Sequence, residues 1–267
     1  MNDFACRVEA DSVNAAGQRL TTMVVTYPRI VHSEMMTHRV FSRNSASSRA
    51  IPIEKMIGQV EHHPYVPALF AANQKGMQAG EPLGDQQQMV ARTIWCHARL
   101  TAISSARALA ELGVHKQWAN RLLEPFAWIT VVISATEWDG FFGLRCHPDA
   151  HPDIRRIAEM MRDARQSSSP TLVEYGGWHL PFTTEEERKT VHIDRLRKLS
   201  VGRCARVSYL THDGKRDHEA DIVLFDRLTQ ACPAHASPLE HVATPAAGVG
   251  LGNFQGWRQL RHVLGMR

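Results

Sequence analysis

Lysine is scarce in this chain. Of 31 basic residues only six are lysines (Lys55, Lys75, Lys116, Lys189, Lys198 and Lys215), and the rest are arginines. A guanidinium offers a rigid fork suited to phosphate and carboxylate, although a codon bias toward arginine yields the same count. Cysteine is also sparse. The five cysteines (Cys6, Cys96, Cys146, Cys204, Cys232) are scattered and odd in number, which excludes a disulfide framework. No CxxC pair occurs, so a thiolate zinc site is not expected. No eighteen-residue apolar run exists, so no membrane-spanning helix is expected. Met1-Asn2-Asp3-Phe4 lacks the basic flank and apolar stretch of a secretory signal, and a reducing cytoplasm is the expected location. Internal repeats and low-complexity tracts are lacking too. A net charge of +4 is too small to announce a nucleic-acid binder.

What remains is ordinary globular composition, 43% hydrophobic and 22% charged, in a length of 267 residues that can bury a sizeable core. Residues 20–27 have strand composition and stop at Pro28. Residues 29–39 read as a short helix running into a Ser/Arg-rich segment that ends at Ile51-Pro52. Residues 64–84, with three prolines and three glycines, read as a surface excursion. Cys96, Leu100, Ile103, Ala106 and Ala110 recur at helical spacing and predict a long helix over 85–112, capped by Gly113. A short helix is predicted at 115–123 and a buried strand at 126–135. Further helices are predicted from Pro152 to about Gln166, opening at Thr183–Glu187, and over 217–231. The class is mixed α/β (α+β), a single helix-rich domain over 1–267 with a small central sheet.

Chemistry concentrates between Thr37 and Arg49, where three arginines, one histidine, one asparagine and four serines share thirteen positions. Arg39, Arg43 and Arg49 supply forked donors, and the backbone around Ser42, Ser45, Ser47 and Ser48 is expected to form an anion-binding nest. A solvated Ser/Arg loop has the same composition, so the order of the residues must decide. That order, H-R-x2-S-x-N-x2-S-x-R, resembles the R-H-R-x7-S signature of flavin-dependent thymidylate synthases, with His38, Arg39 and Ser47 in register and Thr37 replacing the first arginine.

Three other segments carry the same resemblance. Ser200 to Tyr209 resembles the family's A-A-R-V-S-[FY] run, and His235-Ala236-Ser237-Pro238-Leu239-Glu240-His241 resembles H-x-[ST]-P-F-E-H. Leu112-Gly113-Val114 with Arg121, then Phe142-Gly143-Leu144-Arg145, resembles its L-G-V…A-R and F-x-x-L-R elements. The first two normally precede R-H-R-x7-S; here they follow it, so the chain reads as circularly permuted. Asn253 to His262 then falls where the element leading into R-H-R would start, and Gln259 or Arg261 is expected to take roles lost at Glu34 and Thr37.

The resemblance implies a flavin-dependent thymidylate synthase-like fold and reductive methylation of dUMP to dTMP with FAD, NADPH and methylene-tetrahydrofolate, in a homotetramer with shared active sites. Its siblings include pyrimidine-nucleotide hydroxymethyltransferases acting on dUMP or dCMP. It implies flavin contacts from His38, Arg39, Asn44, Ser208, His235, Ser237 and Glu240. It implies nucleotide contacts from Glu34, Ser45, Ser47, Ser48, Arg49, Arg121 and Arg145. The catalytic candidates are Arg145, Ser47 and His38. Arg145 is expected near the pyrimidine, where it can stabilise enolate charge, and Ser47 is expected to position rather than attack, having no activating base beside it in sequence. Glu34, Thr37, Gly140 and Asp149 depart from the family pattern and bear on which pyrimidine is read. No metal is expected: Pro148 and Pro152 interrupt the His147/His151 pair. Cys232, in Ala-Cys-Pro-Ala-His, resembles the Pro-Cys-His of cysteine-dependent synthases only superficially, and a lone cysteine of this kind reads as a small hydrophobe. A nucleic-acid module using the Ser/Arg segment as a phosphate clamp is the reading from another class.

Overall fold

A computed structural model describes residues 3–209, 216–247 and 252–266, the side chains of 208 and 209 excepted. Strand β1 (Ala5–Asn14) turns at Gly17 into β2 (Arg19–Pro28), antiparallel, with a register shift between Val8 and Ala10. The sequence reading found β2 but not β1, whose residues are mostly half-buried and show no clean alternation. Helix α1 (His32–Met36) is shorter than the expected 29–39. A 3-10 turn, Arg29–Val31, precedes it. Arg43 ends it, donating Nη1 to the carbonyls of Met35, Met36 and His38, each at 3.0 Å. Arg43 is therefore a cap and not a free phosphate donor, which corrects its expected role.

Ser42–Ser45 is no loop but strand β3, paired antiparallel with β4. Helix α2 (Ile53–His62), unassigned from sequence, buries Met56, Ile57 and Val60. The segment from 64 to 84 is irregular, and Gln88 ties it down through Phe70 N, Phe70 O and Leu83 O. Helix α3 (Asp85–Glu111) ends at Gly113, whose φ of +77° suits a residue without Cβ. Its inner face differs from the expected one. Leu100 is exposed, and Ile103 and Ala106 are buried. Arg92, Arg99 and Arg107 turn back to carbonyls at 60–61 and 67–68 and to Glu61.

Helix α4 (Lys116–Ala119) continues as a 3-10 turn, Asn120–Phe126, because Pro125 cannot donate the next helical bond. There follow β4 (Trp128–Ala135), α5 (Asp139–Arg145), α6 (Pro152–Ser167), β5 (Thr171–Val173), α7 (Glu185–Thr190), α8 (Ile193–Tyr209) and α9 (His218–Gln230). A 3-10 turn at Ser237–His241, strands β6 (Ala243–Pro245) and β7 (Trp257–Gln259), and α10 (Leu260–Val263) complete the order. The main sheet runs β3-β4-β2-β1-β5, antiparallel except for β1 with β5, and β6-β7 form a separate pair.

Alternation assigns the two faces. Met23, Val25, Tyr27, Ile129, Val131 and Ile133 pack on α6 through Ile154, Ile157 and Met161. Val24 and Val132 face the other way, onto Phe182, Cys204 and Val207. Each fully buried aliphatic side chain of this kind contributes roughly 1.5–3 kcal/mol. Strand β3 is one edge of this sheet, with α8 and the Ser237–His241 turn against it.

Candidate active site

Strand β3 is where the separated motifs meet. Asn44 Nδ2 donates to the Cys204 carbonyl at 2.8 Å, across 160 residues of chain. Ser237 Oγ reaches Asn44 Oδ1 at 3.4 Å. Gln259 Nε2 donates to Ser42 Oγ at 2.8 Å and to the Glu240 carbonyl at 3.2 Å, and Arg261 forms an ion pair with Glu240. The three late segments thus lie in space against the early one. Among the described residues, neither Gln259 nor Arg261 makes a hydrogen bond to Glu34 or Thr37. Arg145 does, donating to Thr37 Oγ1 at 3.0 Å, to the Glu34 carbonyl at 3.3 Å and to His38 Nε2 at 3.1 Å.

His38 sits edge-on to Phe141 at 4.8 Å and is tilted against Phe41 at 5.7 Å. Burial first, then the Arg145 and Arg43 charges, push its imidazole down to about 4, so the ring is neutral at pH 7. With Nε2 accepting, its proton is on Nδ1. Arg39 and Arg49 are exposed, and among the described residues neither guanidinium has an ion-pair or hydrogen-bond partner.

The loop after β3 is held from behind. Asn120, fully buried, donates Nδ2 to the Ser48 carbonyl at 2.8 Å and the Ile51 carbonyl at 2.9 Å. Arg29 Nη1 donates to the Ala46 carbonyl at 3.2 Å while its Nε meets Glu124 at 3.1 Å. Arg121 also goes to Glu124, at 2.9 and 3.1 Å, so it joins the loop only through that carboxylate and Arg29. Ser47 closes a turn, its carbonyl accepting Ala50 N at 2.8 Å. Ser48 is fully buried and its Oγ is unpartnered. Ser45 is half-buried opposite Val131, and His235 is exposed. Glu34 is half-buried, its carboxylate accepting the Ser33 hydroxyl at 2.7 Å. The expected contact at Ser208 lies outside the described side chains, although its backbone belongs to α8.

Behind the loop lies a cavity of about 50 Å³ lined by Thr26, Arg29, Ala46, Ile51, Trp128 and Thr130. That volume suits a few water molecules and not a base. Sequence reasoning missed Asn120, Arg29 and a buried chain of polar groups beneath the site. In that chain Ser12 Oγ meets His179 Nδ1 at 2.7 Å, and His179 Nε2 meets Thr22 Oγ1 at 2.7 Å. Thr22 meets Ser134 Oγ at 2.6 Å, and Ser134 meets His241 Nδ1 at 2.8 Å. His241 Nε2 is buried without a partner. Only the alternation of Thr22, Thr26 and Ser134 with apolar neighbours hinted at such a polar row.

Strand β3 thus carries exposed arginines on either side of it, a neutral histidine before it and a buried amide within it, an arrangement whose chemistry suits an anionic, heteroaromatic ligand. The sequence matches the family model described as thymidylate synthase complementing protein over residues 18–171, more than half of its length, and the chain belongs to this family. Membership makes it a flavin-dependent, nucleotide-modifying enzyme. Among solved structures, the UMP/dUMP methylase PolB from Streptomyces cacaoi bound with 5-Br UMP is similar at 15% identity. That match covers 62% of this chain and 89% of that chain with a TM-score of 0.52, and it shows a shared fold. The same protein bound with 5-Br dUMP matches at 18% identity over 62% and 90%, with a TM-score of 0.48. No curated protein matches in sequence.

Proposed function

We propose that this chain methylates carbon 5 of dUMP, giving dTMP, with FAD, NADPH and methylene-tetrahydrofolate, in a single domain whose motif order is permuted. The carrying observation is the convergence of Asn44, Ser237 and the Cys204 carbonyl at β3, with the His38–Arg145 pair in the segment that leads into that strand. The donor set fits a flavin nucleotide. Arg39 and Arg49 leave their forks free for phosphate, and the uncharged His38 can face a ring without placing a cation on it. When bound, the flavin supplies the hydride and one-carbon chemistry, and the protein supplies position and electrostatics.

In this reading Arg39, Asn44, His38, Ser237, Glu240, His235 and Ser208 hold the flavin. Ser45, Ser47, Ser48, Arg49 and Arg121 order the nucleotide, with Asn120 keeping their loop in shape. Arg145 stands by His38. The active assembly is a homotetramer. The outward face of α3 supports this, since Val90, Ile94, Ala98 and Thr101 are exposed and uncharged while the helix's arginines turn inward.

Purified protein tests the reading. A flavin spectrum, or reconstitution by FAD, is expected; colourless protein that takes up no FAD refutes it. Mass spectrometry of products from dUMP, dCMP and UMP then separates methyl from hydroxymethyl transfer; UMP is included because the structurally similar PolB is a UMP/dUMP methylase. Binding of single-stranded DNA with no nucleotide binding favours the phosphate-clamp module instead.

A further inference from the structure

Arg145 ends α5, and its guanidinium folds back onto the C-terminal end of α1. Nε and Nη2 serve three acceptors there, namely His38 Nε2, the Thr37 hydroxyl and the Glu34 carbonyl. Nη1 takes no part in these bonds and keeps two N–H donors for a ligand. The other nearby cations are engaged elsewhere or lie exposed at the surface. Arg43 is held by three carbonyls, Arg261 by Glu240, and Arg39 and Arg49 are unpaired at the surface. Among the described residues, Arg145 is the one cation whose side chain touches the His38 ring. Helix α5 is a firm support for it, because Phe141 lies against both His38 and Phe41, at 4.8 and 5.0 Å, and Phe142 stacks on Trp138 at 5.7 Å.

We infer that Arg145 is a positioning residue that delivers, from α5, the cation the chain lacks at position 37, fixing the His38 tautomer and aiming Nη1 at the ligand lying on that ring. Thr37 is part of the device. Its short hydroxyl accepts Nη2 at 3.0 Å. The ligand side of the inference rests on the flavin–nucleotide reading above, while the Arg145–His38 coupling stands on the contacts alone.

The test compares the wild type, Arg145→Gln, Arg145→Lys and the double variant Thr37→Arg/Arg145→Gln. FAD affinity is read by flavin fluorescence, the His38 ring by nitrogen-15 NMR titration, and folding by far-UV melting. Charged groups facing His38 are Arg145 from α5, Arg43 from β3 and Glu34 from α1, whose carboxylate is turned to Ser33. Arg145→Gln should weaken FAD by about 10- to 100-fold, the scale of a lost charge-assisted bond, and move the His38 titration up from about 4 toward the ordinary histidine value. Arg145→Lys should not restore either, since an ammonium cannot span three acceptors. The double variant should restore both, with FAD affinity within a few-fold of wild type. Four proteins that melt alike, with the double variant no tighter for FAD than Arg145→Gln, overturn the inference and leave the flavin reading intact. A wild type that binds neither FAD nor dUMP sinks that reading and the ligand side of this one. A His38 titration indifferent to Arg145 overturns the coupling whatever binds.

Discussion

Replacing Glu187 by glutamine measures how far the wall behind β3 depends on buried charge. Glu187 is 8% exposed in the first turn of α7. It accepts Arg203 at 2.8 and 2.7 Å, His218 at 2.8 Å, Arg216 at 3.3 Å and Thr184 N at 2.9 Å. Glutamine has one acceptor oxygen and turns an amide NH2 toward those donors. Removing one partner of a buried pair costs about 3–5 kcal/mol. Arg203 keeps Asp221 and the Phe182 carbonyl, which puts this case near the lower figure. At about 2–4 °C per kcal/mol for a chain of this size, the melting point falls by roughly 6–12 °C at pH 7.

The same carboxylate makes the gap depend on pH. The Arg203 hydrogen bonds, then those from Thr184 and His218, hold the Glu187 carboxyl far below the usual range against the opposing effect of burial. A carboxyl depressed in the folded state contributes fully above its unfolded value, near 4.3, and loses that contribution as pH falls toward the folded one. The gap between wild type and Glu187→Gln should be complete at pH 7 and smaller at about pH 3.5. Far-UV melts at the two pH values check it. A fall of less than about 3 °C at pH 7, or a gap that does not narrow in acid, refutes the reasoning.

Other perturbations reach the site by different routes. Gly202→Ala places a Cβ 2.4 Å from the Asp221 carbonyl oxygen, so α8 and α9 must separate, and a loss of about 1–3 kcal/mol is expected in denaturant titration. Asn120→Ala removes both bonds to the Ser48 and Ile51 carbonyls; stability should fall by about 1–3 kcal/mol and KM for the nucleotide should rise with little change in FAD affinity. Asn44→Ala leaves the Cys204 carbonyl without its donor, and FAD affinity should fall at least fivefold by fluorescence titration while the fold survives. Arg49→Ala should weaken nucleotide binding in calorimetry and spare FAD; equal loss of both contradicts the division of roles.

Where local pattern dominated, the sequence was legible. The β2 run, the Gly113 cap, Pro152 at the start of α6 and the acidic opening of α7 each follow from chemistry within a few residues. Strands β1, β3 and β5–β7 were not legible, because their residues are held by partners distant in the chain and carry no strong strand composition. Ser42–Ser45 is the plainest case: a serine/arginine string becomes a strand because β4 offers an edge and Gln259 and Cys204 satisfy its polar side chains. Within the site, the motif residues were recognisable one by one, but their bonds were not. Arg43 and Arg145 look alike in the sequence. One caps a helix and the other holds a histidine.

The polar chain from Ser12 to His241 has a handedness of its own. Every link is shared between two groups that can each give or take, so its protons must all lean in one direction. The sealed end decides which. A buried N–H without an acceptor costs more than a buried lone pair without a donor, so His241 Nε2 keeps its lone pair and Nδ1 carries the hydrogen. His241 then gives to Ser134, Ser134 to Thr22, Thr22 to His179, and His179 to Ser12. Five small dipoles add head to tail, with the electron-rich end under the Ser237–His241 turn. Thr22→Val cuts the row at its centre and leaves each histidine free to choose its own tautomer.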